Sequence, residues 1–219
     1  MKEMNLKMNR TFSKIFMYLA IGLLISFGVA FGVSKSENLI YNIFANYYIL
    51  LLVMELALAF VLSLFVKKLS KGVLTILYIA YSAITGLSLA SIFLVYELSS
   101  IISVFLVTSI IFAGLALYGY KTDKDITKLS PLLIATLFGI VLLTFINMFF
   151  IKNPNFDLLL TVVSMLVFMG FIMYDVNVLK RKLYDIEEDK LVIYGAFQLY
   201  LDFINLFLDL LRLFGKSND

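Results

Sequence analysis

The sequence predicts an all-α integral membrane protein, with seven transmembrane helices in a single domain that covers residues 1–219. Three observations predict this class. First, 62% of the residues are hydrophobic and 15% are charged, whereas a soluble domain is roughly 45–50% apolar and about 25% charged. Second, seven apolar stretches have about the 20 residues that a helix needs to cross the hydrocarbon core. Third, the basic residues alternate between the segments that separate these stretches.

The predicted spans are separated by short polar segments. The least regular boundary is Glu97, a single charged residue followed closely by two serines. One helix over 72–120 would cross the hydrocarbon core more than twice at about 1.5 Å per residue, so we place two spans there. The seven predicted spans are 15–33, 46–66, 72–96, 98–120, 129–151, 158–179 and 191–214.

Basic residues predict the orientation, because Lys and Arg are in excess on the cytoplasmic side of membrane proteins. With the N-terminus in the cytoplasm, the inside segments carry 14 of the 18 Lys and Arg residues. This alternation predicts a cytoplasmic N-terminus and a C-terminus outside, and it supports the break at Glu97. The short connecting segments and the absence of targeting signals suit the inner membrane of a prokaryotic cell.

The last span carries one polar stripe on an otherwise apolar helix. Its members are spaced by 4, 3, 4 and 3 residues, which places them on one helix face. The stripe therefore faces other helices or water, and Asp202 needs a partner from another helix or a bound proton. Asp209 and Arg212 are three residues apart near the outer end, where we expect a local ion pair. The stripe consists of Gln198, Asp202, Asn205, Asp209 and Arg212.

Two further acidic residues lie within spans, where an ionisable side chain costs about 2.5–3.5 kcal/mol on insertion scales. Glu55 has a depth similar to that of Asp202, counted from the cytoplasmic ends of their helices. Asp175 lies about two turns closer to the cytoplasmic end of its own helix. Spacing therefore permits a pair of Asp175 with Asp202 but does not require it, and a local hydrogen bond of Asp175 with Asn177 is an equal alternative.

A pair formed by Asp175 and Asp202 would act as a pH sensor. Two like charges close together in a low dielectric cannot both ionise easily, so the two carboxyls would share one proton. With the proton, the pair is a hydrogen-bonded clasp between two helices. Without it, the pair is an anionic site whose oxygen ligands suit a transient contact with Ca²⁺.

The segment Leu199–Phe214 (LYLDFINLFLDLLRLF), which follows Met173–Lys180 (MYDVNVLK), carries a specific pattern, and Ile84–Ile92 and Thr108–Asp125 add weaker support. These residues resemble the Bax inhibitor-1 family, also called the transmembrane Bax inhibitor motif family. The likeness is greatest to the bacterial calcium-leak members and covers nearly the whole chain. It implies seven helices, with the last helix central and wrapped by the other six.

The resemblance also implies a function and its residues. The expected activity is a pH-dependent Ca²⁺ leak, gated by an aspartate pair that falls on Asp175 and Asp202. A family acidic residue of the second span falls on Glu55, and with Gln198 and Asn205 it is assigned to the ion pathway.

An arginine latch is a second feature that the resemblance implies. In bacterial members, an arginine at the cytoplasmic end of the second span latches the aspartates. This chain reads FVKKLSK there, so Lys67 or Lys68 is the nearest substitute. An ammonium cannot form the bidentate fork of a guanidinium, so the latch is expected to be looser.

Two other functions are alternatives to the leak. A proton-coupled cation transporter is the first alternative, although both prolines, Pro131 and Pro154, lie at span ends and do not interrupt a helix. A non-transporting membrane scaffold is the second. Tyr174-Asp175 matches the YD of intramembrane aspartyl proteases, but the following span lacks the glycines of their GxGD motif.

The sequence also limits cofactors and partners. Histidine and cysteine are absent, which excludes Ser-His-Asp and Cys-His catalytic sites and the usual zinc sites. We therefore expect no enzyme activity and no cofactor, with Ca²⁺ only as the permeant ion. The expected partners are the lipid bilayer, calcium and protons, and not nucleic acid. The sequence does not determine the oligomeric state and is compatible with a monomer.

Overall fold

The computed structural model describes residues 2–218, apart from the side chains of Lys2, Met4, Asn5, Glu37 and Tyr184. Met1 and Asp219, which belong to the predicted domain, lie outside the described residues. Within 2–218, seven helical segments are long and apolar enough to cross a membrane, which confirms the predicted number of spans. They are Leu6–Ser34, Asn38–Leu64, Lys71–Val95, Leu98–Lys121, Thr127–Ile151, Pro154–Arg181 and Glu188–Phe214.

Most of the helical spans are longer than the apolar stretches that predict them. The first helix begins at Lys2, well before the predicted start at residue 15, because polar residues can continue a helix beyond the lipid. Within the described residues the α-helices are α1 (Lys2–Ser34), α2 (Glu37–Leu64), α3 (Lys71–Leu89), α4 (Ile92–Val95), α5 (Leu98–Lys121), α6 (Ser130–Ile146), α7 (Pro154–Arg181) and α8 (Glu188–Phe214). Short 3-10 turns cover Thr127–Leu129 and Lys182–Tyr184, and a π-helical turn covers Asn147–Ile151.

The chain forms two compact units. Unit 1 contains the residues up to Tyr96, the segment Lys182–Tyr200 and the residues from Ser217 onward, and unit 2 contains Glu97–Arg181 and Leu201–Lys216. In unit 1, α3 packs against α1 and α2. In unit 2, α7 packs against α5 and α6. The last helix contributes its first half to unit 1 and its second half to unit 2.

Helix α8 is the most buried of the seven spans. Within its most apolar stretch of 18 residues, 67% of the residues are buried, whereas the corresponding share in every other span is at most 44%. A helix with this burial has little lipid-facing surface, as its polar stripe requires. Its place at the centre of the seven helices stays a prediction.

Glycine allows a close helix approach in each unit. A Cβ atom added to Gly119 of α5 would lie 2.5 Å from the carbonyl oxygen of Met173 in α7. A Cβ atom added to Gly86 of α3 would lie 2.7 Å from the carbonyl oxygen of Ser26 in α1. Small residues of this kind let two backbones touch within a membrane, where packing supplies much of the attraction between helices.

The predicted break at Glu97 is confirmed, and contacts within unit 2 hold it. Helix α5 begins at the next residue, Leu98. The Glu97 N–H donates to the carbonyl of Lys216 at 2.9 Å, and the Lys216 ammonium lies 2.6 Å from the Glu97 carboxylate. This ammonium, through its hydrogen bond, holds the pKa of Glu97 below its ordinary value. The charged residue that separates two spans is therefore ionised and paired.

The turn between α6 and α7 is fixed by the buried side chain of Asn147. Its Nδ2 donates to the carbonyl of Asn153 at 3.1 Å, and its Oδ1 accepts from the Asn153 N–H at 3.0 Å. Lys152 adopts the left-handed conformation, with φ of 53°. The connection is therefore a closed, tightly hydrogen-bonded turn.

Candidate functional site

Asp175 of α7 and Asp202 of α8 meet within unit 2. Asp202 is 5% exposed, and its carboxyl forms a side-chain hydrogen bond with that of Asp175. Ionised carboxylates only accept hydrogen bonds, so a hydrogen bond between two carboxyls requires a proton on one of them. The Oδ2 atom of Asp202 is buried and has no hydrogen-bond partner among residues 2–218. Asp202 is buried and Asp175 is half-buried, an arrangement in which the two acids can share one proton.

Ring packing holds the α8 member of the pair in register. Phe203, next to Asp202, packs edge-on against two rings of α5. The ring centroids lie 5.3 Å from Phe105 and 5.4 Å from Phe112. Edge-to-face pairs of this kind stabilise a fixed orientation. They therefore fix where Asp202 lies along α5.

The α7 member is positioned by backbone contact and by helix length. The close approach of Gly119 to Met173 lies two residues before Asp175. Helix α7 runs to Arg181, and the turn Lys182–Tyr184 extends it. This extension reduces the difference in depth that the sequence predicts between Asp175 and Asp202.

Asn177 is the alternative local partner of Asp175, but its side-chain amide forms hydrogen bonds with other residues. Its Nδ2 faces the carbonyls of Gly119 at 3.5 Å and Lys124 at 3.4 Å, and its Oδ1 accepts from Arg181 at 3.2 Å. Asn177 therefore ties α7 to the end of α5.

Basic residues at the end of α7 hold the end of α5 and the segment that follows it. The Lys180 ammonium donates to the carbonyls of Tyr120 at 3.0 Å and Thr122 at 3.1 Å. Arg181 lies 3.6 Å from the Asp125 carboxylate. Hydrogen bonds from Thr127 hold the pKa of Asp125 below its ordinary value, so this carboxylate is ionised near neutral pH. The contacts stabilise the α5–α7 pair that carries Asp175, and basic side chains at a helix C-terminus are favourable.

Glu55 lies within unit 1 among hydroxyl groups. It is half-buried on α2, and the Ser88 hydroxyl of α3 donates to its Oε1 at 2.9 Å. The hydroxyl of Thr85 lies beside its carboxylate, and those of Tyr81 and Tyr200 lie nearby. Glu55 therefore faces a polar cluster and not lipid.

The two amides of the stripe have different surroundings. The Oε1 atom of Gln198, in unit 1, is buried and has no hydrogen-bond partner among the described residues. Asn205, in unit 2, donates from Nδ2 to the carbonyl of Leu201 at 2.7 Å. Asn205 also borders a mostly apolar cavity of about 290 Å³ between α6, α7 and α8. Neither amide contacts the aspartate pair through a hydrogen bond in the described part of the chain.

A family model described as "Inhibitor of apoptosis-promoting Bax1" matches residues 8–219, nearly the whole sequence. The chain belongs to the Bax inhibitor-1 family. Over 172 aligned residues it is 44% identical to the inner membrane protein YbhL of Escherichia coli K12. The aligned region covers 76% of this chain and 73% of YbhL. It is 34% identical over 177 residues to an uncharacterized protein of Borreliella burgdorferi, with coverages of 78% and 76%.

A third relative comes from Streptococcus pyogenes serotype M1. This uncharacterized membrane protein is 34% identical to the chain over 170 residues, with coverages of 76% and 73%. The Bax inhibitor-1 match and the seven spans together establish an integral membrane protein.

The lysines at the expected latch position of this Bax inhibitor-1 protein are exposed. The Lys68 ammonium lies 5.5 Å from the centre of the Phe65 ring, a cation–π contact. Neither Lys67 nor Lys68 forms an ion pair within residues 2–218. Their role as a latch stays a prediction.

Arg212, for which the sequence predicts a local ion pair with Asp209, also contacts α7, and its charge acts on the Asp209 carboxyl. Arg212 pairs with Asp157, in the first turn of α7. The Asp209 carboxyl lies beside the Ser164 hydroxyl, and its Oδ2 has no hydrogen-bond partner among the described residues. A carboxylate in the first turn of a helix is favoured by the helix dipole and is ready to accept a guanidinium. The sequence spacing showed only the neighbour on the same helix.

Proposed function

We propose that this protein is a pH-dependent calcium leak channel of a prokaryotic inner membrane, gated by the proton that Asp175 and Asp202 share. The observation that carries the proposal is a hydrogen bond between two carboxyls from different membrane spans, one of them buried. An ionisable group inside a span is costly to insert, so a pair of them needs a function. Family membership and the inner-membrane name of the E. coli relative support the class and the location.

The chemistry of the pair couples protons to a cation. While one proton bridges the carboxyls, they hold α7 and α8 together. When it leaves, two negative charges repel one another and offer oxygen ligands to a hard cation such as Ca²⁺. Within residues 2–218 no group of three or more acidic, His or Cys side chains could hold a metal ion. Two carboxylates form a weak site that a permeant ion can leave, as conduction requires.

The proposal assigns the other polar residues to the ion path. Glu55 in unit 1, with Gln198 and Asn205 on α8, supplies oxygen atoms at membrane depth. The proposed orientation has the N-terminus in the cytoplasm and the C-terminus outside. The activity needs no catalytic residue and no resident cofactor.

The test is Ca²⁺ flux from proteoliposomes that contain the purified protein, measured with an internal Ca²⁺ indicator across a series of pH values. We expect flux down the gradient whose rate changes with pH over a single transition. Competing Na⁺ and K⁺ report the selectivity. If the rate equals that of empty liposomes at every pH, the protein is a non-transporting scaffold and the proposal is wrong.

A proton-coupled cation transporter is the second candidate, because a shared buried proton is also what such coupling needs. The same liposomes separate the two. An imposed proton gradient drives a coupled transporter to concentrate Ca²⁺ against its own gradient, whereas a leak only dissipates it. Accumulation of Ca²⁺ above the external concentration would therefore show that the protein is a coupled transporter and not a leak channel.

Restoring an arginine at the latch position is expected to lower the basal leak. A guanidinium can bind a carboxylate through two hydrogen bonds, which an ammonium cannot. We expect Lys67→Arg or Lys68→Arg to reduce Ca²⁺ flux by about tenfold, the effect of roughly 1.4 kcal/mol. Lys35→Arg is the matched control, since Lys35 also lies over a phenylalanine ring, at 4.9 Å from the centre of Phe31. If both latch variants leak like the wild type, the latch lies elsewhere.

A further inference from the structure

The hydroxyl groups around Glu55 in unit 1 are arranged as oxygen ligands. The neighbours of Glu55 on α2, Met54 and Leu56, are exposed, as expected for a helix that faces lipid. Glu55 itself turns toward α3, where Ser88 donates to its Oε1 at 2.9 Å. This bond occupies one carboxylate oxygen and holds the group in place. The hydroxyl of Thr85 also lies beside the carboxylate.

The buried hydroxyl of Thr85 is the second feature of this cluster. Its side chain is 7% exposed, and its Oγ1 atom is buried without a well-formed hydrogen bond to any of the described residues. It nevertheless lies close to the polar groups of Glu55, Tyr81 and Tyr200. A buried hydroxyl without a partner is costly, because it loses its bonds to water. Such an atom beside a carboxylate indicates a position built for a polar occupant.

The hydrogen bonds of Ser26 determine which atoms face that position. The Ser26 hydroxyl lies 2.7 Å from the carbonyl of Ser82 and 3.0 Å from that of Gly22, and both carbonyls can only accept. Its single proton is therefore committed to them. The Tyr200 hydroxyl, 2.6 Å from Ser26 Oγ, must then be the donor in that contact. The Tyr200 oxygen therefore keeps its lone pairs, and the Thr85 hydroxyl lies beside it.

The available atoms are thus a carboxylate oxygen and hydroxyl oxygens with free lone pairs, which is the chemistry of a cation site. We propose that Glu55, Thr85 and Tyr200 form a binding site for Ca²⁺ within unit 1, separate from the aspartate pair of unit 2. The choice of Ca²⁺ rests on the proposed function. One carboxylate with neutral hydroxyls and water binds Ca²⁺ weakly, which suits a stopping point of a permeant ion.

Luminescence of Tb³⁺, a Ca²⁺ analogue that emits when a nearby tyrosine is excited, tests the site directly. The chain has 13 tyrosines and no tryptophan; Tyr200 belongs to the proposed site, and Tyr81 lies near Glu55 and Thr85. The measurement uses the full chain in lipid nanodiscs with Asp202→Asn as background, because Tyr174 adjoins the aspartate pair. We expect saturable emission that Ca²⁺ displaces.

Two variants test whether Glu55 and Thr85 contribute to the binding of Tb³⁺. Glu55→Gln, which keeps the shape and removes the charge, is expected to weaken Tb³⁺ binding at least about tenfold. Thr85→Val, which removes only the hydroxyl, is expected to weaken it severalfold. Thr108→Val is the matched control: Thr108 is equally buried, but its hydroxyl donates to the Val104 carbonyl of its own helix at 2.7 Å. It should leave the affinity unchanged, and all variants are compared only as monodisperse protein.

The outcomes are distinct. Unchanged Tb³⁺ affinity in both Glu55→Gln and Thr85→Val overturns the site, and so does the lack of saturable emission in the background protein. Binding that depends on both residues, in a protein without Ca²⁺ flux at any pH, would keep the site and remove the leak. Ca²⁺ flux in a protein without this binding would keep the leak and remove the site.

Discussion

Asp202→Asn is expected to abolish the pH dependence of Ca²⁺ flux in proteoliposomes. An amide cannot lose the shared proton, so Asp175 is left without the like charge that couples the two groups. A switch that depends on one proton changes its population by up to about tenfold per pH unit. Flux measured at about pH 5–8 should follow such a slope in the wild type and be nearly flat in the variant. Asp175→Asn should have the same effect.

Asp209→Asn is the matched control for this experiment. Asp209 also lies on α8, about two turns beyond Asp202, but its carboxyl lies beside the Ser164 hydroxyl and not beside a second acid. The pH slope should therefore survive in this variant. A full wild-type slope in both Asp202→Asn and Asp175→Asn would show that the gate titrates elsewhere.

Gly119→Ala is expected to destabilise the protein markedly. The added Cβ would lie 2.5 Å from the backbone carbonyl oxygen of Met173, and backbone cannot rotate away as a side chain can. Helix α5 or α7 must shift, and overpacking of this kind costs about 1–3 kcal/mol. We expect the midpoint of thermal unfolding, followed by loss of monodisperse protein in detergent, to fall by several degrees.

The same helix provides the control for Gly119→Ala. Gly114, also on α5, has no atom within 4 Å of an added Cβ. Gly114→Ala should be neutral or slightly stabilising, since alanine is favoured over glycine in a helix by up to about 1 kcal/mol. Equal unfolding midpoints for the two variants would mean that α5 and α7 do not touch at Met173.

The number of spans and the break at Glu97 could be predicted because lipid imposes a strict rule on length and polarity. The helix ends could not, since a helix such as α1 continues through polar residues outside the lipid. The buried position of Asp202 was predictable from an unpaired acid on an apolar helix. Its contact with Asp175 was not, because spacing gives the depth along each helix and not how two helices lie side by side.

Contacts between distant segments account for what the sequence missed. Arg212 pairs with Asp157, more than fifty residues earlier, and no local pattern signals this partner. Thr85 and Ser164 gave no signal either, because serine and threonine within helices commonly bond to a carbonyl of their own helix. Thr108 does so, and in the sequence it cannot be distinguished from Thr85.

The closed turn at Asn147 has a consequence for how the chain is assembled. Its hydrogen bonds join residues only a few positions apart, so they form at little entropic cost and need no other part of the protein. Helices α6 and α7 can therefore enter the bilayer together as a preformed hairpin. In this order of events α7, which carries Asp175, is inserted as a folded helix before α8 has been synthesised. The contact between Asp175 and Asp202 then forms when α8 is inserted.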